Sequence, residues 1–423
     1  MGHTFIDGGV TAAKGFTASG ILNKIKAGRT TSDTALVFSE RLCNAAGIFT
    51  QNRVKAECVK LTRDHLASGT AQAVIANSGN ANACTGKQGY DNANKEAVAV
   101  AARMGISSDD VLVLSTGVIG QQLPVEKILG GIDALACGLS KEGHKEAREA
   151  IMTTDTHYKE AAVETVIGGV TVRIGTMAKG SGMIHINMGT MLGIITTDAA
   201  ISSVMLEKAL RISAEGTYNC VSIDGDTSTN DSLIILANGM AGNKEIDGEG
   251  ADFDSFVAAL DALNTQMAKK IAADGEGASR LVTCNVVGAD TVGNARGLAK
   301  AVISSNLVKA AFFGTDANWG RILDAMGYSG FSFTPEKTSV SFLSREGARR
   351  YFEDGEQNGG KESIIRVFDH GVPLDFDEAE AKRILSAEAV DILVELEDGD
   401  ARGTAWGCDL TYDYVRINGD YRT

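Results

Sequence analysis

Short apolar runs alternate with segments of helical period along the whole chain. Ala71 to Ala76 and Val111 to Leu114 have the length and apolar character of strands buried on both faces. Asn92 to Met104 and Lys141 to Met152 predict amphipathic helices. Val163 to Thr176 predicts two strands joined at Gly168-Gly169, a hairpin signal. Ser232 to Ala237 and Leu281 to Val287 predict core strands, with a long helix from about Phe253 to Ala273 between them. Toward the end, Glu378 to Ala387 predicts a helix and Tyr412 to Ile417 a closing strand. This alternation is the α/β signature, and no repeat, low-complexity run or linker interrupts it.

Composition narrows the picture. A chain of 423 residues can bury a large core and implies two or three domains. Hydrophobic content of 44% with 22% charged residues is that of a soluble globular protein. No run approaches the ~18 apolar residues of a membrane span. The start, Met-Gly-His-Thr-Phe-Ile-Asp, lacks the features of a secretory signal, so a cytoplasmic protein is expected. A net charge of −14 disfavours nucleic acid as a partner. Glycine is abundant at 49 residues and proline scarce at 3, so loops are shaped by Gly and Asn.

Seven cysteines, scattered and without a C-x-x-C pair, predict reduced thiols with no chemical role. Six histidines show no metal-ligand spacing. Metal catalysis is not expected.

The densest chemistry lies at residues 179 to 198, Lys-Gly-Ser-Gly-Met-Ile-His-Ile-Asn-Met-Gly-Thr-Met-Leu-Gly-Ile-Ile-Thr-Thr-Asp. One reading is a glycine loop entering a buried strand, with Thr190 a β-branched strand residue. The other is chemical. A threonine hydroxyl can attack the carbonyl before it, shift the acyl group from nitrogen to oxygen, and after hydrolysis become a new N-terminus. The freed amine, with a pKa of about 7.7–8.0, can then serve as base for its own hydroxyl. Gly189 suits a strained scissile peptide. Lys179, if it folds nearby, lowers the amine's pKa by like-charge repulsion.

The segments Lys179-Gly-Ser-Gly-Met-Ile, Asn187-Met, Thr190-Met-Leu and Thr197-Asp198 resemble the autocleavage motif of the ornithine acetyltransferases, or glutamate N-acetyltransferases, of arginine biosynthesis. Further similar segments are Phe49 to Asn52, Asn77 to Gly86, Ser115 to Gly120, Met152 to Thr156, Asp224 to Asp231, Asn318 to Arg321 and Trp406 to Tyr412. They follow the family's order along most of the chain.

The resemblance implies an α/β fold of layered sheets and helices, of the N-terminal-nucleophile type, with two main domains. Cleavage between Gly189 and Thr190 would give an α fragment, 1–189, and a β fragment, 190–423, assembled as two copies of each. Thr190 would be the nucleophile that carries the acetyl group, and Thr116 with Gly117 the oxyanion hole. Substrate contacts would fall on Thr153, Lys179, Thr190, Glu276, Asn418 and Thr423. Thr154, in the same threonine run, is an alternative to Thr153. The string Asp-Gly-Glu-Gly occurs at 247–250 and at 274–277; the second, after a long helix and before a core strand, fits the family pattern, and the first reads as a solvated turn. Lys179 and Glu276 together suit an amino acid bearing both a carboxylate and an ammonium group. The tail Asn418 to Thr423 is either a frayed end or, as the family implies, folded into the site.

The implied reaction moves an acetyl group from N-acetylornithine to glutamate, with acetyl-CoA as donor in some members of the family. Several positions depart from the pattern. His185-Ile186 replace the family's Ala-Pro, Gly189 its usual alanine, and Ala317 and Tyr158 its prolines. His185 reads as a turn residue with a catalytic base as the alternative. Two rival functions are an N-terminal-nucleophile amidase or aminopeptidase, with water as acceptor, and an uncleaved amino-acid sensor.

Overall fold

Alternate residues of the strand Val111–Ser115 enter two different cores. Val111 and Val113 pack with Cys58, Leu61, Ala97 and Val100. Leu112 and Leu114 instead join Val37, Val74, Ile194 and Ile234. Burial on both faces is why this strand and its neighbour Thr70–Asn77 read as apolar runs without polar alternation. The computed structural model describes residues 2–185, 191–354 and 363–419. It is an α/β protein of layered sheets and helices with two compact units. One comprises Met1–Asn219 and Asp226–Met267, the other Cys220–Gly225 and Ala268–Thr423. Helix Ala251–Ala273 carries the chain from the first to the second.

The first unit is built on a nine-stranded sheet. Its order is His3–Ile6, Lys159–Ile167, Val170–Lys179, Leu192–Thr197, Ser232–Ala237, Thr34–Phe49, Thr70–Asn77, Val111–Ser115, with Phe16–Ile21 also pairing with Thr34–Phe49. Leu192–Thr197 runs parallel to Ser232–Ala237, and both are buried throughout. The hairpin turns at Gly168 (φ 55°) and Gly169 (φ 82°), a left-handed pair that matches strand twist. The strand Thr34–Phe49 escapes the hydrophobic pattern because exposed Glu40, Arg41 and Leu42 interrupt it at a register shift between Phe38 and Cys43.

In the second unit a six-stranded sheet runs Val372–Pro373, Ile364–Asp369, Ser339–Ser344, Ala389–Glu395, Leu281–Ala289, Ala401–Cys408. Helix Val292–Ser304 buries Leu298, Ala299 and Val302 against it. The family-like Asn318-Trp319-Gly320-Arg321 is structural here: Trp319 stacks on Phe368 at 4.9 Å, and Arg321 donates to the Leu307 carbonyl at 2.8 Å.

Two elements differ from the sequence pattern. Lys141 to Met152 is helical only over His144–Ala150. Tyr412 to Ile417 is no strand but part of the helix Tyr412–Gly419. Its β-prone side chains, Tyr412 and Val415, are 83% and 67% exposed, so no sheet rewards them. The Thr411 hydroxyl instead caps the Asp413 amide at 3.2 Å and donates to the Gly277 carbonyl at 2.6 Å. Among the described residues no helix is long and apolar enough to cross a membrane.

Candidate active site

The strand Val111–Ser115 ends in a turn whose backbone requires glycine. Gly117 sits at φ 134°, and a Cβ there would lie 2.3 Å from the Gly79 carbonyl carbon. The Thr116 amide is committed to the Asn77 carbonyl at 2.9 Å. The Gly117 amide, by contrast, has no backbone partner among the described residues. Facing this turn is the asparagine-rich loop after Thr70–Asn77. Its Asn80 side chain donates to the Gln121 and Gln122 carbonyls at 3.2 and 3.3 Å, pinning the far side of the turn. Asn230 donates to the Ala81 and Ser115 carbonyls at 2.5 and 2.7 Å and locks loop and strand end together. Asn80 and Asn230 lie inside family-like motifs, but the motifs say nothing of these carbonyl partners.

Lys179 closes the strand Val170–Lys179 and is 9% exposed. Its ammonium donates to the Thr116 hydroxyl oxygen at 3.3 Å. Directly behind lies Asp155, whose side chain is 0% exposed. One Asp155 oxygen accepts from the Lys159 ammonium at 2.6 Å and from the Gly180 amide at 2.8 Å. The other accepts from the Thr153 amide at 3.1 Å. Burial alone pushes this carboxyl up; the Lys159 and Lys179 ammoniums and the Gly180 amide outweigh it and hold it below the usual carboxylate range. Thr116, Lys179 and the Thr153 backbone are thus tied into one network.

Thr116 and Lys179 line a small cleft with Gly180, Met183, Met191 and Leu192. Met191 is the residue after Thr190 in the chain. Gly189, Thr190 and Thr423 lie outside the described residues, as does Ile186. His185 is half-buried in the short strand Ile184–His185, and its carbonyl accepts from the Thr227 hydroxyl at 3.1 Å. A larger cleft of about 690 Å³ opens in the first unit between residues 45–51 and the start of helix Ser203–Gly216; none of the expected site residues line it.

Within the second unit, Glu276 and Asn418 meet. Asn418 donates from its side-chain amide to the Glu276 carboxylate at 2.7 Å, and Glu276 is 7% exposed. Close approach of the terminal helix to Gly277 makes the contact: a Cβ on that glycine, at φ 67°, would lie 2.7 Å from the Tyr414 nitrogen. The terminal helix is thus held to Glu276 at Asn418. The other Asp-Gly-Glu-Gly, 247–250, is exposed throughout.

Thiols stand apart from this chemistry. Cys43, Cys58, Cys220, Cys284 and Cys408 are buried. Burial pushes Cys43 and Cys58 up to about 12, so neither is a thiolate near neutral pH. Among the described residues no group of three His, Cys, Asp or Glu could hold a metal.

A model of the ArgJ family matches residues 17–423. The arginine biosynthesis bifunctional protein ArgJ of Caldanaerobacter subterraneus is 47% identical over 418 residues, 99% of each chain. Its namesake from Symbiobacterium thermophilum is 49% identical over 420 residues, 99% of this chain and 100% of that protein. Among solved structures, the ornithine acetyltransferase of Mycobacterium tuberculosis complexed with ornithine is 39% identical, with a TM-score of 0.41, over 45% of this chain and 100% of its own. An ArgJ crystal structure from Bacillus halodurans is 40% identical, with a TM-score of 0.48, over 54% of this chain and 98% of its own. A family match over nearly the full length, with full-length relatives at such identity, leaves one conclusion: this chain belongs to the ArgJ family.

Proposed function

We propose that this ArgJ-family acyltransferase of arginine biosynthesis moves an acetyl group from N-acetylornithine to glutamate through an ester on Thr190. The observation that carries the reading is the donor pair at Thr116 and Gly117. With the Thr116 amide spent on Asn77, only the hydroxyl of that residue can serve an incoming oxyanion. Lys179 donates into the hydroxyl oxygen, so the Thr116 proton stays available to another acceptor. The Gly117 amide supplies the second donor. Each such donor commonly contributes ~2.7–4 kcal/mol to transition-state stabilisation.

In the first step the Thr190 hydroxyl attacks the peptide carbonyl of Gly189. The C–N bond breaks, an ester forms, and water releases Thr190 with a free α-amine. That amine then takes the hydroxyl proton while the oxygen attacks the acetyl carbonyl of N-acetylornithine. Negative charge builds on the carbonyl oxygen, held by the Thr116 hydroxyl and Gly117 amide, and collapse expels ornithine as it regains a proton. The glutamate amine attacks the acetyl ester next; the ester C–O bond breaks, a proton from that amine returns to the Thr190 oxygen, and N-acetylglutamate leaves. Acetyl-CoA can enter as an alternative donor, since a thioester would load the same oxygen. No metal or bound cofactor takes part.

Thr153, Lys179, Thr190, Glu276, Asn418 and Thr423 are the substrate contacts of this reading. Opposite charges at Lys179 and Glu276 suit an amino acid's two ends. Cleavage would divide the chain into 189 and 423 − 189 = 234 residues, inside the first compact unit. Two copies of each fragment would assemble as a cytoplasmic enzyme. Initial rates at several fixed N-acetylornithine concentrations test the two-step scheme: parallel reciprocal plots against glutamate are expected, and converging ones contradict it. Free acetate released in place of N-acetylglutamate would mark an amidase instead.

A further inference from the structure

We propose that Asp155 and Lys159 are positioning residues, a buried ion pair that sets where Lys179 and Thr153 meet the substrate. The inference rests on the reading above only in taking Lys179 and Thr153 as amino-acid contacts.

The pair sits where an ion pair is least useful for stability. Its side chains are 0% and 1% exposed at a separation of 2.6 Å. Desolvating two charges roughly cancels their attraction, so such a pair is weak support for a fold. What the carboxylate does locally is specific. Through the Thr153 and Gly180 amides it fastens the loop after helix His144–Ala150 to the end of the strand that bears Lys179. Lys159 opens the neighbouring strand, opposite Ala178, so its ammonium reaches Asp155 from a fixed frame.

Lys159 also limits how far Asp155 can claim Lys179. Both ammoniums act on the one carboxylate. With Lys159 present, Asp155 has a fixed partner and Lys179 reaches Thr116 at 3.3 Å. Without Lys159, a buried carboxylate would draw Lys179 back from Thr116 and from the substrate. Without Asp155, two buried ammoniums would face each other and part.

The test compares Asp155→Asn, Lys159→Met and the double variant by melting temperature, by KM and kcat, and by calorimetric titration with ornithine. Each single variant should raise KM and weaken ornithine binding about tenfold or more. The double variant, which removes both charges, should regain much of the melting temperature yet keep the weak binding. Recovery of stability and affinity together in the double variant would make the pair merely structural and overturn the proposal. Lys159→Arg is the second probe, in case the double variant does not fold. It keeps the charge, but its fork competes with the Thr153 and Gly180 amides for the carboxylate. Ornithine binding weakened beyond what the loss of melting temperature accounts for is expected, and wild-type affinity overturns the proposal. Titration separates the two readings. Wild-type protein that binds ornithine but transfers no acetyl group sinks the catalytic reading alone, and wild-type protein that binds neither amino acid sinks both.

Discussion

The Lys179 ammonium donates to the Thr116 hydroxyl oxygen at 3.3 Å, joining a charged strand end to the turn that follows another strand of the same sheet. A hydroxyl that accepts from an ammonium keeps its own proton for another acceptor. Replacing the hydroxyl should therefore cost rate more than affinity. Thr116→Val is expected to lower kcat about 10²–10³-fold with a smaller change in KM, and Thr116→Ser to restore most of it. Steady-state kinetics of the two variants check this.

Gly117→Ala should fail differently. The added Cβ would meet the Gly79 carbonyl carbon at 2.3 Å in a backbone conformation that L side chains rarely adopt. Thermal unfolding should show a loss on the order of 1–3 kcal/mol, together with loss of activity. A variant of wild-type stability and rate would show that the turn is less constrained than its geometry requires.

The site was legible in parts, and the parts follow a rule. Thr116 and Gly117 were picked out by the family resemblance, at the end of a clear apolar run; the positive φ and close backbone approach that demand glycine at 117 appear only in the structure. Glu276 was separable from its twin string because a long helix precedes it. Asp155 and Lys159 were invisible as a pair: a carboxylate and a lysine four residues apart usually mark a solvated surface, and only the fold makes them 0% and 1% exposed. The same limit hid the strand Thr34–Phe49, whose charged middle is tolerated at a bulge. It also hid the terminal helix, whose β-prone residues yield to the cap at Thr411 and the close approach at Gly277.

Glu276 should discriminate between the two amino acids. Ornithine carries a side-chain ammonium and glutamate a carboxylate, so the carboxylate proposed as a substrate contact favours the first. Glu276→Gln keeps a group that Asn418 can bond and removes the charge. It should impair the ornithine half-reaction more than the glutamate half, measured as separate single-turnover rates. Equal losses in both halves would remove Glu276 from any selective role.

Stability should fall as pH rises because of Glu96. This side chain, on the helix Gly86–Met104, is 0% exposed, and neither carboxyl oxygen has a hydrogen-bond partner among the described residues. Burial raises it from 4.5 to about 8. Between those values the unfolded chain gives up the proton while the folded chain keeps it, so stability drops with rising pH by about 1.4 kcal/mol per unit. Below 4.5 and above 8 this group adds no slope. Denaturant titrations from pH 5 to 8 should show the decline, and Glu96→Gln should flatten it.

Alkylation of the native protein should label Cys84 and Cys137, the two exposed cysteines, and leave activity intact. Loss of activity with the fold unchanged would assign a thiol a role that the site geometry gives to none.

Mass spectrometry of the protein after incubation with N-acetylornithine alone tests the central claim most directly. The account predicts two fragments, 1–189 and 190–423, with a single acetyl group on Thr190 that disappears when glutamate is added. Thr190→Ala should give one uncleaved, unacetylated chain, whereas Thr190→Ser should retain part of both reactions. An active wild-type protein that remains full length, or that never carries an acetyl group on Thr190, would contradict the account.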